Sequence, residues 1–252
     1  MSDSRRPPAQ EPDRIYADAQ GAVDQFRFDE AVARVFPDMI RRSVPGYTTI
    51  IPMTGVIAAR YAQAGSNLYD LGCSLGATTL AMRHAVSQPD CRIVAVDNSA
   101  AMIERCNHYI ALDEGHVPVE LKQSDILDLP IDDASVVTLN FTLQFVEPER
   151  RLELLTRICQ GLRPGGALVL SEKIRFDDER EQAVQETLHH DFKRAHGYSD
   201  LEISQKRSAL EQVLIPETLD AHRKRLGQAG FDTVVLWYQC FNFCSLLALK
   251  AD

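Results

Sequence analysis

Asn67-Leu-Tyr-Asp-Leu-Gly-Cys-Ser-Leu-Gly76 runs from apolar residues into an acid and then into two glycines four residues apart, after which Ala77-Thr-Thr-Leu80 opens a helical pattern. That order predicts a strand, a tight turn and a helix N-terminus. Glycine lets the backbone approach a ligand closely, and the first turn of a helix leaves its N–H donors unused. The spacing is D-x-G-x-x-x-G and not the G-x-G-x-x-G of a dinucleotide turn. A carboxylate such as Asp70 accepts from an ammonium group but repels a phosphate. The expected ligand therefore carries an amino-acid head group and an adenosine.

The same rhythm continues downstream. Strands are expected at 68–71, 92–96, 117–121, 135–141 and 167–172, with helices at 76–86, 99–112 and 148–162. Repeated βα units demand a parallel sheet with helices on both faces, and ligands then sit at the carboxyl ends of the strands. A helix at 217–229 precedes two apolar runs, 233–239 and 241–249, joined by too little chain for a crossover. They should pair antiparallel at the sheet edge. The class is α/β, Rossmann-like, with a mostly parallel seven-stranded sheet and a C-terminal antiparallel hairpin. Residues 1–24, rich in Pro, Asp, Arg and Gln, are expected to form a mobile tail ahead of one domain, 25–252. A helical cap covers 28–63, its first helix bent or broken at Pro37. Residues 177–213 are polar with a helical pattern, and read as an inserted lid or dimer element.

The 252 residues carry a net charge of -9, which disfavours a broad phosphate-backbone footprint, so no direct nucleic-acid contact is expected. Six cysteines without a C-x-x-C pair fit reduced thiols in a cytoplasmic protein. No apolar stretch is long enough to span a membrane, and the charged N-terminus lacks the apolar core of a secretion signal.

Candidate ligand contacts fall at successive strand ends. Asp97, followed by Asn98, lies 21 positions after Gly76, near the spacing of an acid that accepts from ribose hydroxyls, although Asp also suits a helix N-cap. Asp125, beside Ile126, can accept from an adenine amino group or simply serve a turn. Asn140 ends the fourth strand, where a buried Asn also needs partners of its own. Tyr47 either covers the ligand or wedges into the core. Cys73 is expected to pack beside the ligand without acting as a nucleophile, because no basic neighbour in sequence activates it. His189, His190, Asp191 and His196 invite a metal reading, but adjacent histidines point to different helix faces and no fourth ligand has useful spacing, so no metal is expected. Arg223-Lys224-Arg225 reads as a solvated helix face.

Four strand-end positions in this order resemble the class I S-adenosylmethionine-dependent methyltransferase fold, with Ser74 where many members have a third glycine. A closer resemblance covers residue 28 to the end. Phe36-Pro-Asp-Met-Ile-Arg-Arg-Ser-Val-Pro-Gly-Tyr47, Leu139-Asn-Phe-Thr-Leu-Gln-Phe145, His189-His-Asp-Phe-Lys-Arg-Ala-His-Gly-Tyr198, Glu202-Ile-Ser-Gln-Lys-Arg-Ser208 and Gln239-Cys-Phe-Asn-Phe243 are similar to the bacterial carboxy-S-adenosyl-L-methionine synthase family. The resemblance implies conversion of S-adenosyl-L-methionine and prephenate into carboxy-S-adenosyl-L-methionine and phenylpyruvate by a homodimer. The product would supply the carboxymethyl group for a wobble-uridine modification of transfer RNA, installed by a separate enzyme. It implies ligand contacts at Tyr47, Gly72, Cys73, Ser74, Asp97, Asn98, Asp125, Ile126, Asn140 and Arg207. Residues alone would have made Arg207 an ion-pair partner of Glu211 or Glu202; the resemblance makes it the anchor of the new carboxylate, bound bidentately. The histidines then become prephenate contacts or subunit packing. An ordinary methyltransferase, or a non-catalytic binding partner of a tRNA-modifying enzyme, are the competing readings.

Overall fold

The computed structural model describes residues 11–19, 26–210 and 213–252. Five strands pair in parallel: β1 (Asn67–Leu71), β2 (Arg92–Asp97), β3 (Val119–Gln123), β4 (Ala134–Asn140) and β5 (Leu162–Lys173). β6 (Thr233–Cys240) and β7 (Phe243–Leu249) add antiparallel, giving the order β3-β2-β1-β4-β5-β7-β6. The chain steps outward from β1 to β3 and then crosses back to lay β4 on the other side of β1. The crevice at the carboxyl ends of β1 and β4 is therefore the switch point where such folds bind ligands. β5 begins earlier than expected. Leu162 pairs with Ala134 and Ala167 with Val136, so Arg163-Pro-Gly-Gly166 forms a bulge within the strand.

Alternation along the strands divides the core. Leu68 and Ile93 face α2 (Tyr47–Tyr61) and α3 (Ala77–Ala85), whereas Tyr69, Leu71, Val94 and Val96 face α5 (Pro148–Gly161) and α8 (Leu219–Ala229). α4 (Ala100–Leu112) packs Cys106 on Ala95, on the same side as α3. Both faces are covered, which is why these strands read as unbroken apolar runs. α1 (Glu30–Ser43) passes through Pro37 without interruption. The proline forfeits one i→i−4 bond, while the Asp29 cap on the Val32 amide and the burial of Val32, Val35 and Met39 hold the helix on both sides of it. The 177–213 segment forms α6 (Glu179–Ala195) and α7 (Asp200–Leu210). No described helix is long and apolar enough to cross a membrane.

The expected N-terminal tail needs correction where it can be described. Residues 1–10 and 20–24 lie outside the described residues, but 11–19 pack against the domain. Asp13 is 2% exposed and pairs with Lys206 Nζ at 3.3 Å, and it accepts from the Tyr198 hydroxyl. Its amide donates to Asp38 at 2.8 Å. Tyr16 buries its ring among Val32, Val35, Met39 and Ala209, and Gln205 donates to the Tyr16 and Asp18 carbonyls. The polar composition misled because one acid, Asp13, neutralises a buried lysine of α7. Removing one partner of a buried pair leaves the other charge uncompensated. Asp13→Ala should cost about 3 kcal/mol in urea unfolding; an unchanged midpoint would restore the tail.

Candidate active site

A cavity of about 890 Å³ opens at the carboxyl ends of the strands. Gly72 and Gly76 make its floor possible. Gly72 has φ +79, and a Cβ there would lie 2.2 Å from Thr142 Oγ1; Gly76, at φ +85, has its own Cβ position 2.7 Å from Cys106 Sγ. Ser74 also takes a left-handed backbone, at φ 48, and its amide donates to Asp97 Oδ2 at 2.9 Å. Asp97 Oδ1 accepts from the Ser99 amide at 2.9 Å. The helix cap belongs to Ser99, whose hydroxyl accepts from Met102, so Asp97 is not the N-cap of α4. Burial holds the Asp97 carboxyl above the usual range, against the two amide bonds that favour its anion. Asn98, Asp125 and Ile126 line the same end. Asp125 makes the turn contact as well, accepting from the Leu127 amide at 2.8 Å. Asn140 lines the cavity with its amide held on both sides, donating to Thr78 at 3.1 Å and accepting from Ser171 at 2.6 Å. Phe141 beyond it has φ 61, a costly conformation for an aromatic residue beside a ligand site.

Two expectations for the first loop change. Asp70 does not line the cavity. Its oxygens accept from Thr79 at 2.6 Å and Thr138 at 3.0 Å, and burial lifts its carboxyl to about 6. It braces the loop from beneath, tying β1 to α3 and β4, and is not placed to receive the ligand's ammonium group. Cys73 does line the cavity, and both the neighbouring Cys106 thiol and burial push its own thiol well up, so it is no thiolate nucleophile. Tyr47 lines the cavity too, its ring centroid 6.3 Å from that of Phe141, and burial raises its hydroxyl pKa.

The wall at β5 is cationic, and sequence reading missed it. β5 lies three strand positions from β2, about 14 Å across the sheet. Lys173 at its end, His189 and Lys193 of α6, and Lys206 of α7 all line the cavity. Ser43, closing α1, ties two of them: its carbonyl accepts from His189 Nε2 and its hydroxyl from Lys206 Nζ, both at 2.8 Å. Burial and the surrounding cations press His189 down to about 2, so the imidazole stays neutral. Lys206 is lowered to about 8 by burial, with Asp13 opposing the fall. Lys193 is lowered to about 7, first by burial and then by Lys206, Lys173 and Arg207. Ser43 lies far from the other three in sequence, and although β5, α6 and α7 follow one another, nothing in the sequence says that their lysines face one cavity.

Arg207 is exposed on α7 and is not on the cavity wall, yet its charge is felt at Lys173, Lys193 and His190. Glu211, its alternative partner, lies outside the described residues. Of the histidine group, only His189 faces the cavity; His196 Nδ1 bonds the Phe192 carbonyl and Asp191 pairs with Arg194. Among the described residues no three His, Cys, Asp or Glu side chains are grouped to hold a metal. Arg225 departs from the solvated face expected for 223–225. It pairs with Glu217, which also holds the fully buried Arg151.

A methyltransferase-domain family model matches residues 68–166. Among solved structures, human N-acetylserotonin methyltransferase in complex with SAM superposes with a TM-score of 0.59 over 88% of this chain and 56% of its own, at 17% identity, a likeness of fold alone. The carboxy-S-adenosyl-L-methionine synthase of Marinobacter nauticus is 66% identical over 98% of this chain and 98% of its own. That of Trichlorobacter lovleyi is 61% identical over 94% of this chain and 98% of its own. With such identity over nearly its whole length, and with the α/β fold of class I SAM-dependent methyltransferases, the chain belongs to the carboxy-S-adenosyl-L-methionine synthase family.

Proposed function

We propose that this enzyme converts S-adenosyl-L-methionine and prephenate into carboxy-S-adenosyl-L-methionine and phenylpyruvate. The product serves a separate cytoplasmic enzyme that carboxymethylates a wobble uridine of transfer RNA. The observation that carries the reading is one continuous cavity joining Asp97 and Asp125 to the lysine-lined wall. A nucleoside end and a cationic end in one enclosure suit a sulfonium donor beside an anionic second substrate.

The chemistry asks little of the protein as a base. Prephenate dianion aromatises by losing carbon dioxide and hydroxide, leaving phenylpyruvate. Hydroxide takes a proton from the sulfonium methyl group, forming water and a sulfur-stabilised ylide. The ylide carbon then attacks carbon dioxide, and a C–C bond replaces the C–H bond. The residues must hold the partners in register and keep water out. Asp97 takes the ribose hydroxyls, Asp125 with the Ile126 amide the adenine edge, and Tyr47 covers the sulfonium side. Arg207, next to Lys206 on α7, lies off the described cavity, and its assignment to the new carboxylate rests on the family resemblance alone. Exposed Val184 and Leu188 on α6 and Leu201 on α7 support pairing of two chains through this insert.

Incubation with both substrates should yield phenylpyruvate and a nucleoside one carbon dioxide heavier than S-adenosyl-L-methionine by mass spectrometry. No product from folded protein would sink the reading, and methyl loss to an acceptor would favour an ordinary methyltransferase. Arg207→Ala should leave S-adenosyl-L-methionine affinity within about twofold while removing the preference for the carboxylated nucleoside, a loss of roughly tenfold or more in calorimetry; equal loss of both affinities would contradict its role. Sedimentation should give a dimer, and a monomer at micromolar concentration would remove the pairing.

A further inference from the structure

We infer that Lys173 and Lys193 form a clamp for the side-chain carboxylate of the second substrate, the one that survives in the keto-acid product. The inference rests on the prephenate reading and assigns residues and a carboxylate within it.

The wall offers three ammonium groups, and they are not equivalent. Lys206 is already neutralised, with Asp13 at 3.3 Å and the Ser43 and Tyr198 hydroxyls around it. Lys173 and Lys193 line the cavity, and neither ammonium has a hydrogen bond or ion pair among the described residues. Lys193 is 7% exposed. Among the described residues the acid whose field supports Lys173 is Glu186, an exposed residue bonded to Gln182. An ammonium held in such a place without an anion is unfavourable, and a carboxylate placed between the two relieves both. Burial, then the charges of Lys206, Lys173 and Arg207, lower Lys193 to about 7, and an anion beside it would oppose that fall.

Which carboxylate belongs there follows from the reaction. The ring carboxylate must leave as neutral carbon dioxide. Ion-pairing it would stabilise the ground state and lose that stabilisation as the charge moves off, which slows the step. The side-chain carboxylate keeps its charge throughout. Binding it to Lys173 and Lys193 orients the substrate without opposing decarboxylation. Phenylpyruvate retains the same group, so it should use the same clamp.

The test uses full-length wild type, Lys193→Met and Lys173→Met. Phenylpyruvate binding is measured on protein saturated with S-adenosylhomocysteine, and turnover with both substrates. Each variant should keep its affinity for S-adenosylhomocysteine, which also reports that it is folded. Each should raise the prephenate KM and weaken phenylpyruvate binding by roughly tenfold or more, with kcat changed much less. If Lys193→Met fails to fold, Lys173→Met carries the same expectation alone. A raised KM with unaltered phenylpyruvate affinity would put the ring carboxylate in the clamp and overturn the assignment. Unchanged KM in a folded variant would overturn the clamp itself. Wild type that makes no phenylpyruvate would instead sink the prephenate reading.

Discussion

Two ammonium groups, Lys173 and Lys193, with no anion against them among the described residues are the constraint around which this molecule is arranged. The chain as a whole is acidic, at -9, so a local excess of cations is not a matter of composition. The nearby acids are committed elsewhere. Asp13 answers Lys206 and Tyr198, and Glu172 accepts from the Leu143 and Gln144 amides at 2.9 Å. Burial lifts the Glu172 carboxyl to about 8, which weakens it further as a counterion. The remaining positive charge has a direction: it faces the cavity. A charge kept unpaired in a partly dry enclosure interacts strongly with an anion that enters, since little water competes.

The sheet supplies the opposite end and fixes the distance between the two. Asp97 gathers the amides of Ser74 and Ser99, which locks the turn after β1 to the end of β2. Asp70 performs the same service underneath through Thr79 and Thr138. These bonds hold the Asp97 end of the cavity in a fixed geometry of its own. The cationic end depends on packing of α1, α6 and α7, where Ser43 joins His189 to Lys206 and the 11–19 segment secures α7 from outside. One end is built from short-range turns, the other from long-range contacts.

That difference explains what could be read from the chain. The loop at Gly72 and Gly76, Asp97 and Asn140 were legible because each follows a strand within a few residues, and strand ends converge in this fold. Cys73, too, was legible as a packed thiol. Asp70 was found but misassigned, because sequence does not tell that Thr79 and Thr138 claim its oxygens. Ser43 and Lys193 fall within distinctive strings and Lys173 does not, but the role of all three was hidden, because only tertiary packing brings them together. The burial of Asp13 and the pairing of Arg225 with Glu217 escaped for the same reason, since polar residues in a polar stretch look solvated until a distant partner is in place.

On the proposed reaction, carbon dioxide and the ylide held between these ends need only meet before either is lost to solvent. The enclosure is thus the central claim, more than any single residue. It is tested most directly by prephenate isotopically labelled in its ring carboxylate carbon, turned over in buffer containing excess unlabelled bicarbonate. The account predicts that the new carboxylate of the product keeps the full label. Dilution toward the isotopic composition of the dissolved bicarbonate would show that carbon dioxide escapes before capture, and would contradict it.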